Sequence, residues 1–276
     1  MAIGNKISLA GDLGSGKSTV SKILIDRLGA QYYSTGSIVR SIADRMGMDV
    51  VTFNKYMETH PETDVEIDNG LRALSEDPRS LIIDSRMAWH FTEGTFKVYM
   101  STDCEVSAAR IMGAQRAEER FESLEEAVRS VRERRASEMK RYSEMYGVNI
   151  KDLTNYDLVV DTTYATPEEV AQVIISSFRE WQERGEFKGA LISPERLLIT
   201  DREIDEDKLA EYADLAETDE ELPLLDVRER EGKFYVDDKH NELMLGISIS
   251  FSRFALCRIL PGAPADAEYV EMRNSL

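Results

Sequence analysis

The segment Gly11-Asp12-Leu13-Gly14-Ser15-Gly16-Lys17-Ser18 constrains this chain more than any other stretch. It fits the pattern GxxxxGK[ST]. The apolar run Lys6–Ala10 (KISLA) precedes it, and TVSKILIDRL follows with apolar residues at three- and four-residue spacing. A strand feeding a glycine turn into a helix is a βα unit, so the expected class is α/β, a parallel sheet flanked by helices. The residue types follow from the chemistry of phosphate. Glycines let the backbone curl until successive N–H groups point at phosphate oxygens, at the positive end of the helix dipole. Lys17 is then placed to reach the β- and γ-phosphates as a catalytic cation, and the Ser18 hydroxyl to hold Mg²⁺. Gly11, Gly14, Ser15, Gly16, Lys17, Ser18 and Thr19 are the candidate nucleotide-binding residues, with ATP or GTP as the ligand. The loop alone names no reaction, because switches and motors use it as well.

Composition narrows the partners. The chain has 276 residues with 34 basic and 52 acidic side chains, a formal net charge of −18. Such an excess argues against a broad basic face for duplex DNA or an anionic membrane. No stretch approaches the ~18 apolar residues that span a bilayer, and the N-terminus has neither an apolar signal core nor a small-residue cleavage site, so a cytoplasmic protein is expected. Cys104 and Cys257 stand far apart in no metal-ligand spacing. They are read as structural thiols.

Further short apolar runs read as buried strands at Ser80–Asp84, Phe96–Met100 and Asp157–Val160, with helical patterns between them. Residues 118–146 are charged and helix-favouring, and are expected to form an exposed helical hairpin. Thr166-Pro167-Glu168-Glu169 combines an N-cap, a proline at N1 and acids in the first turn, opening a helix that ends near Arg184-Gly185. Composition shifts there. Residues 1–185 carry 23 basic and 30 acidic side chains, and 186–276 carry 11 and 22. Two domains follow from this, 1–185 and a smaller α+β module at 186–276. In the second, EDKLAEYADLA is helical and Glu231-Gly232 lies between two alternating runs as a hairpin turn would. The stretch after Pro261 reads as a loosely tied terminus.

Three features point from nucleotide binding to phosphoryl transfer onto a phosphorylated acceptor. Tyr33-Ser34-Thr35-Gly36 follows a short strand and opens a helix bearing Arg40. Asp84-Ser85-Arg86 lies at the C-terminal end of a strand, the end that faces the ligand crevice of an open α/β sheet. Two arginines from different elements can clamp an acceptor phosphate. The third feature is the cluster Arg129, Arg132, Arg134, Arg135, Lys140 and Arg141, a local positive patch in an acidic chain. Arginines that close over the phosphates stabilise the transferring group and exclude water.

In this order and spacing, these stretches resemble the cytidylate kinases, specifically their short archaeal-type branch. The resemblance runs through most of residues 1–180: GDLGSGKST, STGSIVRSIADRMGMDVVTFNKYMETHPETDVEIDN, IIDSRMAW, FKVYMSTDCEVSAARI, RERRASEMKRYSEMYGVNI and YDLVVDTT. It implies a P-loop nucleoside monophosphate kinase fold and the conversion of CMP or dCMP to the diphosphate with ATP and Mg²⁺. By position, Ser34, Gly36 and Arg40 line the acceptor pocket and Arg86 binds the acceptor phosphate. Arg132, Arg134 and Arg141 embrace the transferring group. Asp157 contacts acceptor sugar or base, Asp64 and Asp68 sit in the acceptor-binding helices, and Asp84 orients the magnesium water shell. Two departures stand out, Ser85 where glycine is common and Ser107 where an arginine is familiar. No general base is required, since an acceptor phosphate is already ionised at pH 7, and His60 and His90 are read as structural.

Residues 191–260 are similar to the ParB/sulfiredoxin-like fold, with Asp237-Asp238-Lys239-His240-Asn241 at its DGxHR-like position. Glycine and terminal arginine are absent there. The module is therefore expected to be a structural or partner-binding accessory, with His240 satisfied by a backbone carbonyl. Two further functions stay open. One is a kinase of another acceptor, a small molecule or a modified pyrimidine in DNA, recruited by the C-terminal module. The other is a nucleotide-binding regulator without transfer activity.

Overall fold

The computed structural model describes residues 5–48, 50–60, 62–114, 121–218, 222–249 and 252–271. In chain order its elements are β1 (Lys6–Gly11), α1 (Lys17–Leu28), β2 (Gln31–Ser34), α2 (Thr35–Arg45), α3 (Val50–Thr59), α4 (Glu62–Ala73), β3 (Leu81–Asp84), α5 (Ala88–Phe91) and β4 (Thr95–Ser101). There follow α6 (Cys104–Gly113), α7 (Leu124–Tyr146), β5 (Leu158–Asp161), α8 (Pro167–Arg184), β6 (Gly189–Ile192), β7 (Leu197–Thr200) and α9 (Glu206–Ala216). The chain closes with β8 (Leu225–Arg230), β9 (Lys233–Val236), α10 (Asn241–Ile249), β10 (Ala255–Ile259) and β11 (Tyr269–Glu271). The class is α/β with a mixed sheet flanked by helices.

The chain divides into two compact units that interleave in sequence. The first comprises residues 1–11, 16–99 and 167–187, the second 12–15, 100–166 and 188–276. The division does not fall at a single point near residue 186. Within the second unit β5 pairs in parallel with β6, Leu158 opposite Gly189 and Val160 opposite Leu191, so residues 188–271 extend the strands that precede them.

In the first unit the strand order is β4-β1-β3-β2, with β1 and β2 both parallel to β3. β1, β3 and β4 are buried on both faces, which is why they read as continuous apolar runs, while the edge strand β2 (QYYS) is largely exposed. Leu9, Ile83, Phe96 and Val98 have no exposure. Helix α8 follows its sequence signals: Pro167 opens it, Val170, Ile174 and Phe178 repeat every four residues on its buried face, and Gly185 at φ 81° ends it. Phe96, Phe178 and Trp181 pack ring on ring with centroids 5.7–5.9 Å apart. The two buried phenylalanines each contribute about 1.5–3 kcal/mol by leaving water.

In the second unit the order is β11-β7-β9-β8-β10-β6-β5. β8 and β9 form the expected hairpin, its turn residues Glu231 and Gly232 both at positive φ (56° and 84°). Helix α7 runs unbroken over 23 residues, capped by the Ser123 hydroxyl on Glu126 N–H and ended by Gly147 at φ 67°. It is one helix, not a hairpin, because nothing between Leu124 and Tyr146 breaks it; residues 118–120 lie outside the described residues. The stretch after Pro261 is tied down as well, since β11 pairs antiparallel with β7, and residues 272–276 lie outside the description. His240 accepts the Asp226 N–H at Nδ1 (3.0 Å), a backbone donor rather than the carbonyl expected, which fixes its proton on Nε2. The Cys257 thiol is fully buried, and burial pushes its pKa up. No described helix is long and apolar enough to cross a membrane.

Candidate active site

The phosphate loop is one covalent segment whose residues distribute over both units. In the first unit, Gly11 ends β1 and Gly16 is the N-cap of α1 at φ 82°, with no side chain capping it. No acid occupies the first turn of α1, so its leading N–H groups and dipole face an anion without a competing carboxylate in that turn. Ser18 and Thr19 lie on that turn, exposed. Lys17 Nζ donates to the Gly11 carbonyl at 3.1 Å. Arg86 Nη1 donates to the same oxygen. One carbonyl therefore gathers the loop lysine and the strand-end arginine, two cations that the sequence separates by 69 positions.

Local structure holds Arg86 there. β3 runs parallel to β1 and ends at Asp84, Ser85 N–H donates to the Leu9 carbonyl at 3.2 Å, and the Ser85 hydroxyl accepts from Met87 N–H. Trp89 Nε1 then donates to the Arg86 carbonyl at 3.0 Å, closing the turn into α5. Serine at position 85 thus serves the turn rather than disturbing it. Asp84 accepts the Tyr32 hydroxyl at 2.9 Å. Burial, then the Asp84 charge, push the Tyr32 phenol up to about 12, so it remains a donor at any ordinary pH. Ser18 and Asp84 supply a hydroxyl and a carboxylate, oxygen donors of the kind that Mg²⁺ takes together with water and phosphate.

Ser34, Gly36 and Arg40 come together. A Cβ on Gly36 would lie 3.6 Å from both Arg40 Nη1 and Ser34 Oγ, so this guanidinium lies over the first turn of α2. Asp64 and Asp68, four residues apart on one face of α4, are both buried at 6% exposure.

In the second unit the middle of the loop is held from several directions. Ser15 Oγ donates to the Asp12 carbonyl at 2.8 Å. Gly14, at φ 69°, approaches α6 so closely that a Cβ would lie 2.7 Å from the Ser107 carbonyl, so only glycine fits. Ser107 Oγ donates to the Leu13 carbonyl, and Arg110 Nη1 reaches the Gly14 carbonyl at 3.5 Å. The serine that replaces a familiar arginine thus binds the loop itself, and a guanidinium comes from three residues further along the same helix face.

The Asp12 carboxylate is buried and ion-paired. It receives Arg135 Nη2 at 2.8 Å, Lys151 Nζ at 3.1 Å and Thr102 N–H at 3.0 Å. The basic cluster on α7 therefore meets the loop through Arg135. Of the three arginines expected to embrace the transferring group, Arg132 and Arg134 are exposed, Arg134 with Glu138 at 3.8 Å, and Arg141 stacks over the Tyr142 ring at 4.9 Å. Asp157 is partly buried just before β5, and its carbonyl accepts from Gly189 N–H. Arg110, Lys151 and Asp12 were not singled out from the sequence. A signal for Arg135 existed: Ala127, Val131 and Tyr142 are the buried residues of α7, and Arg135 continues the four-residue spacing of the first two while Arg132 and Arg134 fall off it.

Comparison with known proteins identifies the family. The family model described as "Cytidylate kinase-like family" matches residues 6–164, more than half of the chain. The chain belongs to the cytidylate kinase-like family. It is 36% identical over 179 residues to a cytidylate kinase of Thermoplasma volcanium, covering 63% of this chain and 92% of that protein. A cytidylate kinase of Sulfolobus acidocaldarius is 36% identical over 172 residues, 62% of this chain and 92% of its own. A third relative is an S-adenosylmethionine-dependent nucleotide dehydratase of Lacinutrix mariniflava, 32% identical over 176 residues, of which the match covers only 36%. For this kinase the family implies ATP with Mg²⁺, and the uncapped helix start, Lys17 and the oxygen donors Ser18 and Asp84 fit that pair.

Proposed function

We propose that this kinase transfers a phosphoryl group from ATP to CMP or dCMP, giving ADP and the cytidine diphosphate. The observation that supports it most is the pair of cations on the Gly11 carbonyl: Lys17, the phosphate-loop cation, and Arg86, a fork suited to a second phosphate. A donor phosphate chain and an acceptor phosphate are what a nucleoside monophosphate kinase must bring together. Cytidine as the base rests on the family and on the cytidylate kinases of Thermoplasma and Sulfolobus.

An acceptor phosphate oxygen attacks the γ-phosphorus, one P–O bond forms, the bond to the β-bridging oxygen breaks, and ADP leaves with that electron pair. The acceptor is dianionic near pH 7, so no residue has to remove a proton. Bound Mg²⁺ supplies charge neutralisation across the donor phosphates. The protein contributes placement and charge. Lys17 and the α1 N–H groups hold the donor, Arg86 and Arg40 the acceptor phosphate, and Asp64 and Asp68 offer buried acceptor oxygens toward the amino edge of a cytosine. Ser34 and Gly36 are assigned to the acceptor pocket by position in the family, and Asp157 to a contact with sugar or base. Among the cations of α7, Arg132, Arg134 and Arg141 are assigned to the transferring group, and Arg135 holds the loop through Asp12. The test is coupled ADP release with ATP·Mg²⁺ against a panel of nucleoside monophosphates, with Lys17→Ala as the blank.

A second reading, a kinase of another nucleotide acceptor, is favoured by one observation, the similarity to part of a nucleotide dehydratase. Turnover with UMP or another monophosphate but not CMP in the same panel would select it.

A further inference from the structure

We propose that Arg196, outside the residues that match the family model, is a positioning residue for the phosphate loop. Residues 188–271 thereby serve nucleotide binding through two polar arms that both end on that loop. Arg196 lies just before β7, with its side chain 6% exposed. Its Nη1 pairs with the fully buried Asp161 carboxylate at 2.8 Å and reaches Ser101 Oγ and Thr163 Oγ1 at 3.3 and 3.2 Å. Its Nη2 donates to the Gly232 carbonyl, in the β8–β9 turn. One planar fork thus ties the end of β5 to the hairpin turn, a geometry that a lysine, with a single point charge, cannot reproduce at both ends.

The first arm runs from Asp161. Its Oδ1 also accepts Thr163 N–H and the Thr163 hydroxyl, fixing the turn that follows β5. The carbonyls of Thr162 and Thr163 in that turn receive Arg110 Nη2, and Arg110 Nη1 reaches Gly14 of the phosphate loop. Without the Arg196 cation, the buried Asp161 carboxylate loses its directly paired charge and keeps only the more distant charge of Arg110, which weakens the turn that anchors Arg110. The second arm runs through the hairpin. A Cβ at Gly232 would lie 3.6 Å from Arg135 Nη1, so the turn abuts the guanidinium that pairs with Asp12. Gly232 N–H donates to Glu229 Oε1 at 2.5 Å, which braces the turn from its own strand. Arg196 therefore sets the backing of Arg110 and of Arg135, and these two set the Gly14 carbonyl and the Asp12 carboxylate.

This inference rests on the loop binding ATP and not on which acceptor is used, so its test leaves the acceptor out. ATP·Mg²⁺ affinity of the full chain is measured by calorimetry for wild type, Arg196→Gln, Arg196→Lys and Arg202→Gln. Arg202 is the control, an arginine of the same segment paired at 2.7 Å with buried Glu242 and outside both arms. The expected result is an affinity about tenfold weaker for Arg196→Gln and about threefold weaker for Arg196→Lys, with Arg202→Gln lowering the melting temperature while binding ATP as wild type does. If Arg196→Gln does not fold, Arg196→Lys carries the test, because it keeps the charge and loses the fork. Wild-type affinity in folded Arg196→Lys and Arg196→Gln, or an equal weakening by Arg202→Gln, would overturn the proposal.

Discussion

Each unit holds cations on residues of the phosphate loop, but on different kinds of oxygen. In the first, Lys17 and Arg86 donate to the neutral carbonyl of Gly11. In the second, Arg135 and Lys151 pair with the buried Asp12 carboxylate, and Arg196 pairs in the same way with Asp161 at the end of β5, outside the loop. A carbonyl oxygen is neutral and accepts either cation through a hydrogen bond alone, whereas a buried carboxylate needs a counter-charge held against it. The first arrangement suits binding, and the second suits holding the loop in shape. Catalytic loss and stability loss should therefore separate between the two sets.

The largest effect is expected at Lys17. Lys17→Ala should cut ADP release by about 10²–10³-fold with little change in melting temperature, since removing one preorganised donor costs transition-state stabilisation and not packing. Asp12→Asn should do the reverse. It keeps an acceptor for Thr102 N–H but removes the Asp12 charge from Lys151, 9% exposed, and from Arg135, and should cost about 3 kcal/mol in chemical denaturation. A catalytic collapse without loss of stability in Asp12→Asn would break the distinction. Arg86→Ala should raise the KM for the acceptor by about tenfold and leave ATP affinity nearly unchanged.

A smaller effect is expected from pH. The Arg202 hydrogen bond holds the Glu242 carboxyl down to about 2 from its ordinary 4.5, although burial opposes it. A carboxylate with a depressed folded pKa contributes stability that is complete above pH 4.5 and is lost as pH falls toward 2. Arg202→Gln should therefore flatten the acid limb of the stability profile in that window and leave the profile above pH 6 parallel to wild type. The smallest effect is expected at Arg134, exposed and 3.8 Å from Glu138, where Arg134→Ala should change stability by less than about 0.5 kcal/mol. Its turnover sharpens the comparison: a loss of ADP release at unchanged stability would place Arg134 with the cations of the transferring group, apart from Arg135 on Asp12.

Much of this was legible in residues whose signals are local. β1, β3, β4 and β5 lie in short apolar runs, and α8 begins at Pro167 and ends beside Gly185, because caps and period are written within a dozen positions. The β8–β9 turn could be read from Glu231-Gly232 for the same reason. What escaped depends on partners far away in sequence. β7 and β11 pair across about seventy residues, so the closing strand looked like a loose end. Choosing among six neighbouring cations on α7 required knowing which face packs, and Lys151 and Arg196 gain their meaning only from Asp12 and Asp161 at distant positions.

The most direct test of the central claim is acceptor-stimulated ADP release with ATP·Mg²⁺, comparing CMP and dCMP with UMP, AMP and GMP for wild type and Lys17→Ala. Preferential turnover with CMP or dCMP, abolished by Lys17→Ala, is the expected result. ADP release that no monophosphate stimulates would contradict it.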